Sequence, residues 1–156
     1  MRVVGIDLGS LQSGYGVVER NGQDFSCICW GEIHLSKKET VGRRLWVFYE
    51  QVEAIIKKYG PQEVIIEEIY VANNVKTALA LGQVRGVAVF LAERCCLPVF
   101  TYSPLEVKQA VVGYGLAHKE QVKIMVQRLL NLKETPGQHA ADALAVALCH
   151  LQHLRL

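Results

Sequence analysis

Asp7, Glu67, His139 and Asp142 are the side chains whose types and settings could do chemistry. Asp7 closes the apolar run Val3-Val4-Gly5-Ile6 and is followed by Gly9. Glu67 closes a second apolar run, Val64-Ile65-Ile66. A carboxylate that ends a buried strand is costly near a core unless a cation or hydrogen bonds compensate it. His139 and Asp142 stand three residues apart, so on a helix they share one face and can reach one ion. Three carboxylates and an imidazole at one point would suit a hard cation of the magnesium type, which takes oxygen ligands and keeps waters or phosphate oxygens. Two such ions can activate a water and stabilise the leaving oxygen of an in-line displacement. Lys119, at the head of a predicted helix, joins this group.

Each residue also has a plainer reading. An Asp after an apolar strand is often a turn former. Glu68 competes with Glu67 for the inward position, because successive strand residues face opposite ways. His139 could cap its helix and Asp142 could complement the helix dipole.

The elements that must position these residues read as β, β, β, α, β, α, β, α, α, α in one domain, residues 1–156, with no repeat or linker. Arg2–Asp7, Tyr15–Glu19 and about Phe25–His34 are predicted strands. Asn21-Gly22 gives a hairpin signal between the last two. Leu45, Phe48, Tyr49, Val52, Ile55, Ile56 and Tyr59 fall at helical spacing, stopped by Gly60-Pro61. A strand over Val64–Glu67 follows. Asn73 or Asn74 can cap the next helix, which is predicted to run to about Cys96. Pro98–Tyr102 is a fifth strand. Ser103-Pro104-Leu105-Glu106 has capping-box spacing with proline at the first helical position. Helices over Lys119–Leu130 and about His139–Leu154 complete the chain. A meander followed by strand–helix alternation implies a mixed five-stranded sheet flanked by helices on both faces. Ligands on such sheets sit beyond the strand ends, where Asp7 and Glu67 would meet if their strands are parallel neighbours. The alanines around Asp142 would let the last helix approach the sheet closely.

The helix from Val75 is apolar on more than one face, so burial on two sides is expected. Gly82 and Gly86, four apart, would permit close backbone approach, and the second side is expected to meet another subunit, making a homodimer.

The chain has 156 residues, 51% of them hydrophobic and 21% charged, which fits a globular domain and excludes a disordered one. A net charge of +2 permits a nucleic-acid partner without requiring one. Five cysteines without a zinc-type pair read as reduced thiols rather than a disulfide framework. The strand-like start shows no signal peptide, and Gln83, Arg85, Glu93 and Arg94 interrupt the most apolar helix. A cytoplasmic protein away from the membrane is expected.

Gly5-Ile6-Asp7-Leu8-Gly9-Ser10, Ser13-Gly14-Tyr15-Gly16-Val17 and Ile66-Glu67-Glu68 resemble the RuvC family of bacterial Holliday junction resolvases. Leu81-Gly82-Gln83-Val84-Arg85-Gly86, Val107-Lys108-Gln109-Ala110-Val111-Val112-Gly113, Lys119 with Gln121-Val122, and Ala140-Ala141-Asp142-Ala143-Leu144-Ala145 continue the match in order. Leu8 stands where proline is usual in the family, and Ser13 where threonine is common. Neither removes a ligand.

The resemblance implies a ribonuclease H-like fold, a homodimer and magnesium-dependent paired nicking of four-way DNA junctions. It places catalytic and metal-binding roles on Asp7, Glu67, His139 and Asp142, with two Mg2+ ions per site and Mn2+ as a substitute. The position of His139 carries either Asp or His in the family, and its role as ligand or proton carrier stays open. Lys108 and Lys119 match DNA contacts near the scissile phosphate, and Lys76 could extend that track. Tyr70 matches an aromatic residue that stacks against bases at the junction, and a RuvA-RuvB branch-migration partner is implied by likeness. The main rivals are an RNA-acting YqgF-type nuclease of the same superfold, an actin-like ATPase and a non-catalytic junction binder. The ATPase would need a second domain and a second phosphate loop, which this chain lacks.

Overall fold

The structure, a computed structural model, describes residues 1–69 and 73–154. Its elements are β1 (Arg2–Asp7), β2 (Gln12–Asn21), β3 (Asp24–His34), α1 (Val41–Tyr59), β4 (Glu63–Glu67), α2 (Val75–Arg94), β5 (Val99–Tyr102), α3 (Pro104–Val112), α4 (Lys119–Leu129) and α5 (Gln138–His153). They form one five-stranded sheet in the order β3-β2-β1-β4-β5. The first three strands are antiparallel neighbours, whereas β4 and β5 run parallel to β1.

Side chains alternate along each strand, so the sheet divides the core in two. Val3 and Ile65 join one cluster with α3, α4 and α5. Val4, Ile6, Val64 and Ile66 join the other, with α1 and α2. Asp7 shares parity with Val3 and Gly5, and Glu67 shares parity with Ile65. Both carboxylates therefore belong to the face covered by α5.

That helix is the central element of its face: every residue from Ala143 to Leu151 is buried. Its close seat depends on glycines in the sheet. A Cβ at Gly5 would collide with the Ala143 carbonyl, and one at Gly14 with the His139 carbonyl. The close approach expected from the helix alanines thus rests equally on glycines in the sheet.

The turn signals act as predicted at several boundaries. Gly60 ends α1 in the left-handed region, and Asn74 rather than Asn73 caps α2 through the Thr77 N–H. Ser103 and Glu106 form the predicted capping box, with Pro104 opening α3. Among the boundaries that differ from expectation, two have a local cause. β2 begins at Gln12 rather than Tyr15, because the Ser13 hydroxyl closes the preceding turn on the Gly9 N–H at 3.0 Å and lets pairing start early. α2 stops at Arg94 rather than Cys96, since Cys96 adopts φ 56° and turns the chain out of the helix.

The faces of α2 are unequally covered. Within the chain it buries one side only, through Val84, Ala88, Leu91 and Ala92. Leu79 and Phe90 on the other side are 65% and 66% exposed. Although α2 is long and apolar enough to cross a membrane by length and composition, its covered side packs against α1 and the sheet.

Candidate active site

The last paired positions of the parallel strands β1 and β4 are Ile6 and Ile66. Asp7 and Glu67 follow directly, so two carboxylates leave neighbouring strands at the same end of the sheet. Glu67 is partly buried and Glu68 exposed, which resolves the register in favour of Glu67. The N-terminus of α5 lies over this edge. Its N-cap is Gly137, without a side-chain cap, so His139 is free of the capping duty that was its plainer reading.

His139 Nδ1 lies 2.7 Å from Asp7 Oδ2. Gln138 Nε2 donates to Asp142 Oδ1 at 2.8 Å. Glu67 lies in the wall shared by two cavities. One also contains Asp142, Lys108 and Lys119. The other contains Asp7, Leu8 and Glu68. Pro104, at the start of α3, lines both.

Burial dominates the electrostatics. It raises Asp7 to about 6, aided by repulsion from Asp142 and opposed by the His139 hydrogen bond and by Lys119. It raises Glu67 to about 7, with Asp142 and Asp7 adding repulsion and Lys119 and Lys108 opposing. Asp142 is also raised, chiefly by burial, while Lys119 and the Gln138 hydrogen bond pull it down. Three acids that mutually disfavour ionisation have been drawn into one partly buried place. The two lysines only partly compensate them.

Among the described residues, no three His, Cys, Asp or Glu side chains converge tightly enough to grip one ion together. Magnesium binding does not require such a cage. The ion is usually held by one or two carboxylates, with waters and substrate phosphates completing its octahedron. The donor set fits that mode, because a divalent cation would compensate three carboxylates raised by burial and relieve the repulsion that adds to it at Asp7 and Glu67.

Of the other anticipated residues, Lys108 and Lys119 line the cavity that holds Glu67 and Asp142. Lys76 is exposed in the first turn of α2. Tyr70 lies outside the described residues.

Sequence reasoning missed Gln138, which orients Asp142 from the preceding helical turn. Its position four residues before Asp142 was the available signal, but the predicted helix began one residue later, at about His139. It also missed the role of Ser13, 1% exposed, whose hydroxyl accepts from the Gly9 N–H and donates to the Gly9 carbonyl, fixing the turn that follows Asp7. Nothing in an isolated serine announces that contact.

A family model for crossover junction endodeoxyribonuclease RuvC matches residues 3–150. The chain belongs to the RuvC family.

Among relatives, the crossover junction endodeoxyribonuclease RuvC of Koribacter versatilis is 47% identical over 153 residues, covering 97% of this chain and 92% of its own. That of Caldanaerobacter subterraneus is 48% identical over 151 residues, covering 96% of this chain and 92% of its own. The structure of Thermus thermophilus RuvC in complex with Holliday junction substrate superposes with a TM-score of 0.93 at 34% identity, over 98% of this chain and 94% of that one. The yeast mitochondrial Holliday junction resolvase Ydc2, at 15% identity and a TM-score of 0.66, shares the fold. This is the ribonuclease H-like architecture expected for RuvC members.

Proposed function

We propose that this protein is a structure-selective endodeoxyribonuclease that resolves four-way DNA junctions by paired, symmetric nicks. The observation that carries this reading is the convergence of Asp7, Glu67 and Asp142 on one sheet edge beside a wall of lysines. Partly buried carboxylates beside lysines would hold a divalent cation next to a phosphodiester. The likeness to a RuvC solved with a Holliday junction substrate supplies the substrate class.

Asp7 and Glu67 would hold Mg2+ from adjacent strand ends, with Asp142 completing the donor set and Mn2+ as a substitute. Bound there, two divalent ions would supply an activated water and a counter-charge for the leaving oxygen. Lys108 and Lys119 position the phosphate, each releasing counterions on binding. Gln138 keeps Asp142 turned towards the cavity. His139 sits where it can hold Asp7 in orientation, carry a proton, or offer its other ring nitrogen to a cation. The working compartment that suits this chemistry is the cytoplasm, where the DNA lies.

Paired nicking calls for two active sites related by a two-fold axis, and the uncovered side of α2 supports a homodimer. Val75, Leu79 and Phe90 are exposed along this helix. A Cβ at Gly82 or Gly86 would meet nothing within the chain. An apolar stripe with two open glycines suits close approach of a second copy. Cooperation with a RuvA-RuvB branch-migration complex is proposed on family likeness.

The test is Asp7→Asn, incubated with a labelled synthetic junction and magnesium. It is expected to bind as the unaltered protein does and to leave both strands intact. Full cleavage would remove Asp7 from the mechanism, and preference of the unaltered protein for linear duplex or RNA would overturn the substrate.

A further inference from the structure

Leu105, Tyr114 and Leu116 are 56%, 57% and 71% exposed, among the large apolar side chains that the fold leaves at its surface. They are not scattered. Gly115 packs directly on Leu105, so close that an added Cβ would lie 2.8 Å from Leu105 Cδ1. The α3–α4 loop therefore folds back along α3 to its beginning. Leu105 immediately follows Pro104, which lines both cavities of the active site. Leu116 stands three residues before Lys119, itself in the wall that holds Glu67 and Asp142.

This loop is internally braced. Gly113 turns it with φ +83°, the Ala117 N–H donates to the Tyr114 carbonyl at 3.1 Å, and Ala117 is 2% exposed. The His118 N–H donates to Gln121 Oε1 at 2.8 Å, tying the loop to α4. Glu106, the nearest acid on α3, is engaged with Ser103 in the capping box. Apolar groups are thus held on the loop between the two helices that carry Lys108 and Lys119, with Leu105 one helical turn before Lys108.

An apolar surface next to a phosphate-binding wall has a specific use on DNA. In a paired arm the faces of the bases are covered by their neighbours, and a protruding aromatic ring finds only backbone. Where pairing opens, a base face becomes free, and stacking on it is worth enough to matter. A purely protein partner would gain little from the flanking lysines.

We propose that Tyr114, backed by Leu116, stacks on an unpaired nucleobase adjacent to the phosphate that is cut. Resting on the nuclease reading above, this assigns the α3–α4 loop a part in selecting the opened centre of the junction. It approaches the scissile strand from the α3–α4 side of the cavity.

The test compares Tyr114→Ala, Tyr114→Phe and Leu116→Ser on a synthetic junction and on junctions with a single abasic site at each position flanking the cut. Tyr114→Ala is expected to lower kcat/KM on the intact junction by about 10-fold, the loss of one stacked base. Phe should restore most of it, and Leu116→Ser should show a smaller loss. At one abasic position the unaltered protein should fall to the level of Tyr114→Ala, with no further loss in the variant, because ring and base act as a pair. Losses that simply add at every abasic position, or a Tyr114→Ala variant that cuts as well as the parent, would overturn the assignment. In that last case the patch belongs to a protein partner. Failure of the unaltered protein to cut any junction would instead strike at the nuclease reading, so the two failures are separable.

Discussion

His139 Nδ1 lies 2.7 Å from Asp7 Oδ2 and joins residues 132 positions apart in sequence. The contact connects the end of the first strand to the first turn of the last helix. It leaves the other ring nitrogen of His139 able to act elsewhere. His139→Ala should lower the nicking rate by about 100-fold or more, the range in which a proton-transfer group acts, with metal-free junction binding unchanged. His139→Asp should recover much of the lost rate, because a carboxylate there can also serve a cation. Single-turnover nicking in Mg2+ and Mn2+ measures both. An alanine variant at full rate would leave His139 with orientation of Asp7 as its whole role.

Glu67 gives a pH prediction whose sign follows from its raised pKa. The fold holds this proton more tightly than the unfolded chain, because burial and the neighbouring acids lift Glu67 to about 7 from 4.5. The associated stability is fully present below about 4.5 and is lost as pH rises through about 7. Metal-free protein should therefore melt lower at pH 8 than at pH 5. Glu67→Gln should remove part of that decline, stabilising the metal-free fold at pH 8 by on the order of 2 kcal/mol, or roughly 4–8 °C. The same variant should lose cleavage and gain little melting temperature from Mg2+. Calorimetry with and without EDTA decides it. A Glu67→Gln variant that melts lower than its parent at pH 8 would contradict the strained-acid account.

Much of the site was legible because strands and helices impose fixed periods. Asp7 and Glu67 each close a continuous apolar run, which marks the strand end but not the face, and His139 and Asp142 share a helical turn. Adjacency of β1 and β4 was less legible, since a parallel pairing is set by packing of the whole sheet rather than by either strand. The same holds for His150. It is buried on α5, with Nε2 2.5 Å from Glu63 Oε2 and Nδ1 2.9 Å from the Tyr102 hydroxyl. No local pattern announces a contact among three elements. Apolar composition marked α2 as a helix with more than one face seeking a partner, and its own chain covers one of them.

The seam on α2 can be tested without disturbing the core. Gly82 lies where an added Cβ meets open space, and Leu79 is largely exposed. Gly82→Glu and Leu79→Glu should therefore leave the protomer folded, while placing like charges opposite one another across a two-fold contact. On the homodimer proposal, sedimentation equilibrium is expected to show dimers for the parent and monomers for these variants. Junction cleavage should then release nicked intermediates instead of coupled products. Variants that remain dimeric would place the interface elsewhere.

Gly14 tests whether the sheet–helix seat positions the catalytic groups. Its Cα faces the His139 backbone so closely that a methyl group would overlap the His139 carbonyl and crowd the Ala140 nitrogen. Backbone cannot rotate away as a side chain can, so α5 must shift off β2. Gly14→Ala should cost about 1–3 kcal/mol through overpacking. It should also reduce nicking beyond what the lost stability explains, because the displaced segment carries His139 and Asp142. Gly42→Ala is the control: it lies in the first turn of α1 with open space around it. It should be neutral or stabilising by up to about 1 kcal/mol. Melting curves and single-turnover rates, taken well below each variant's transition, separate loss of fold from loss of geometry. Equal activity per folded molecule in Gly14→Ala would show that the acids tolerate movement of α5.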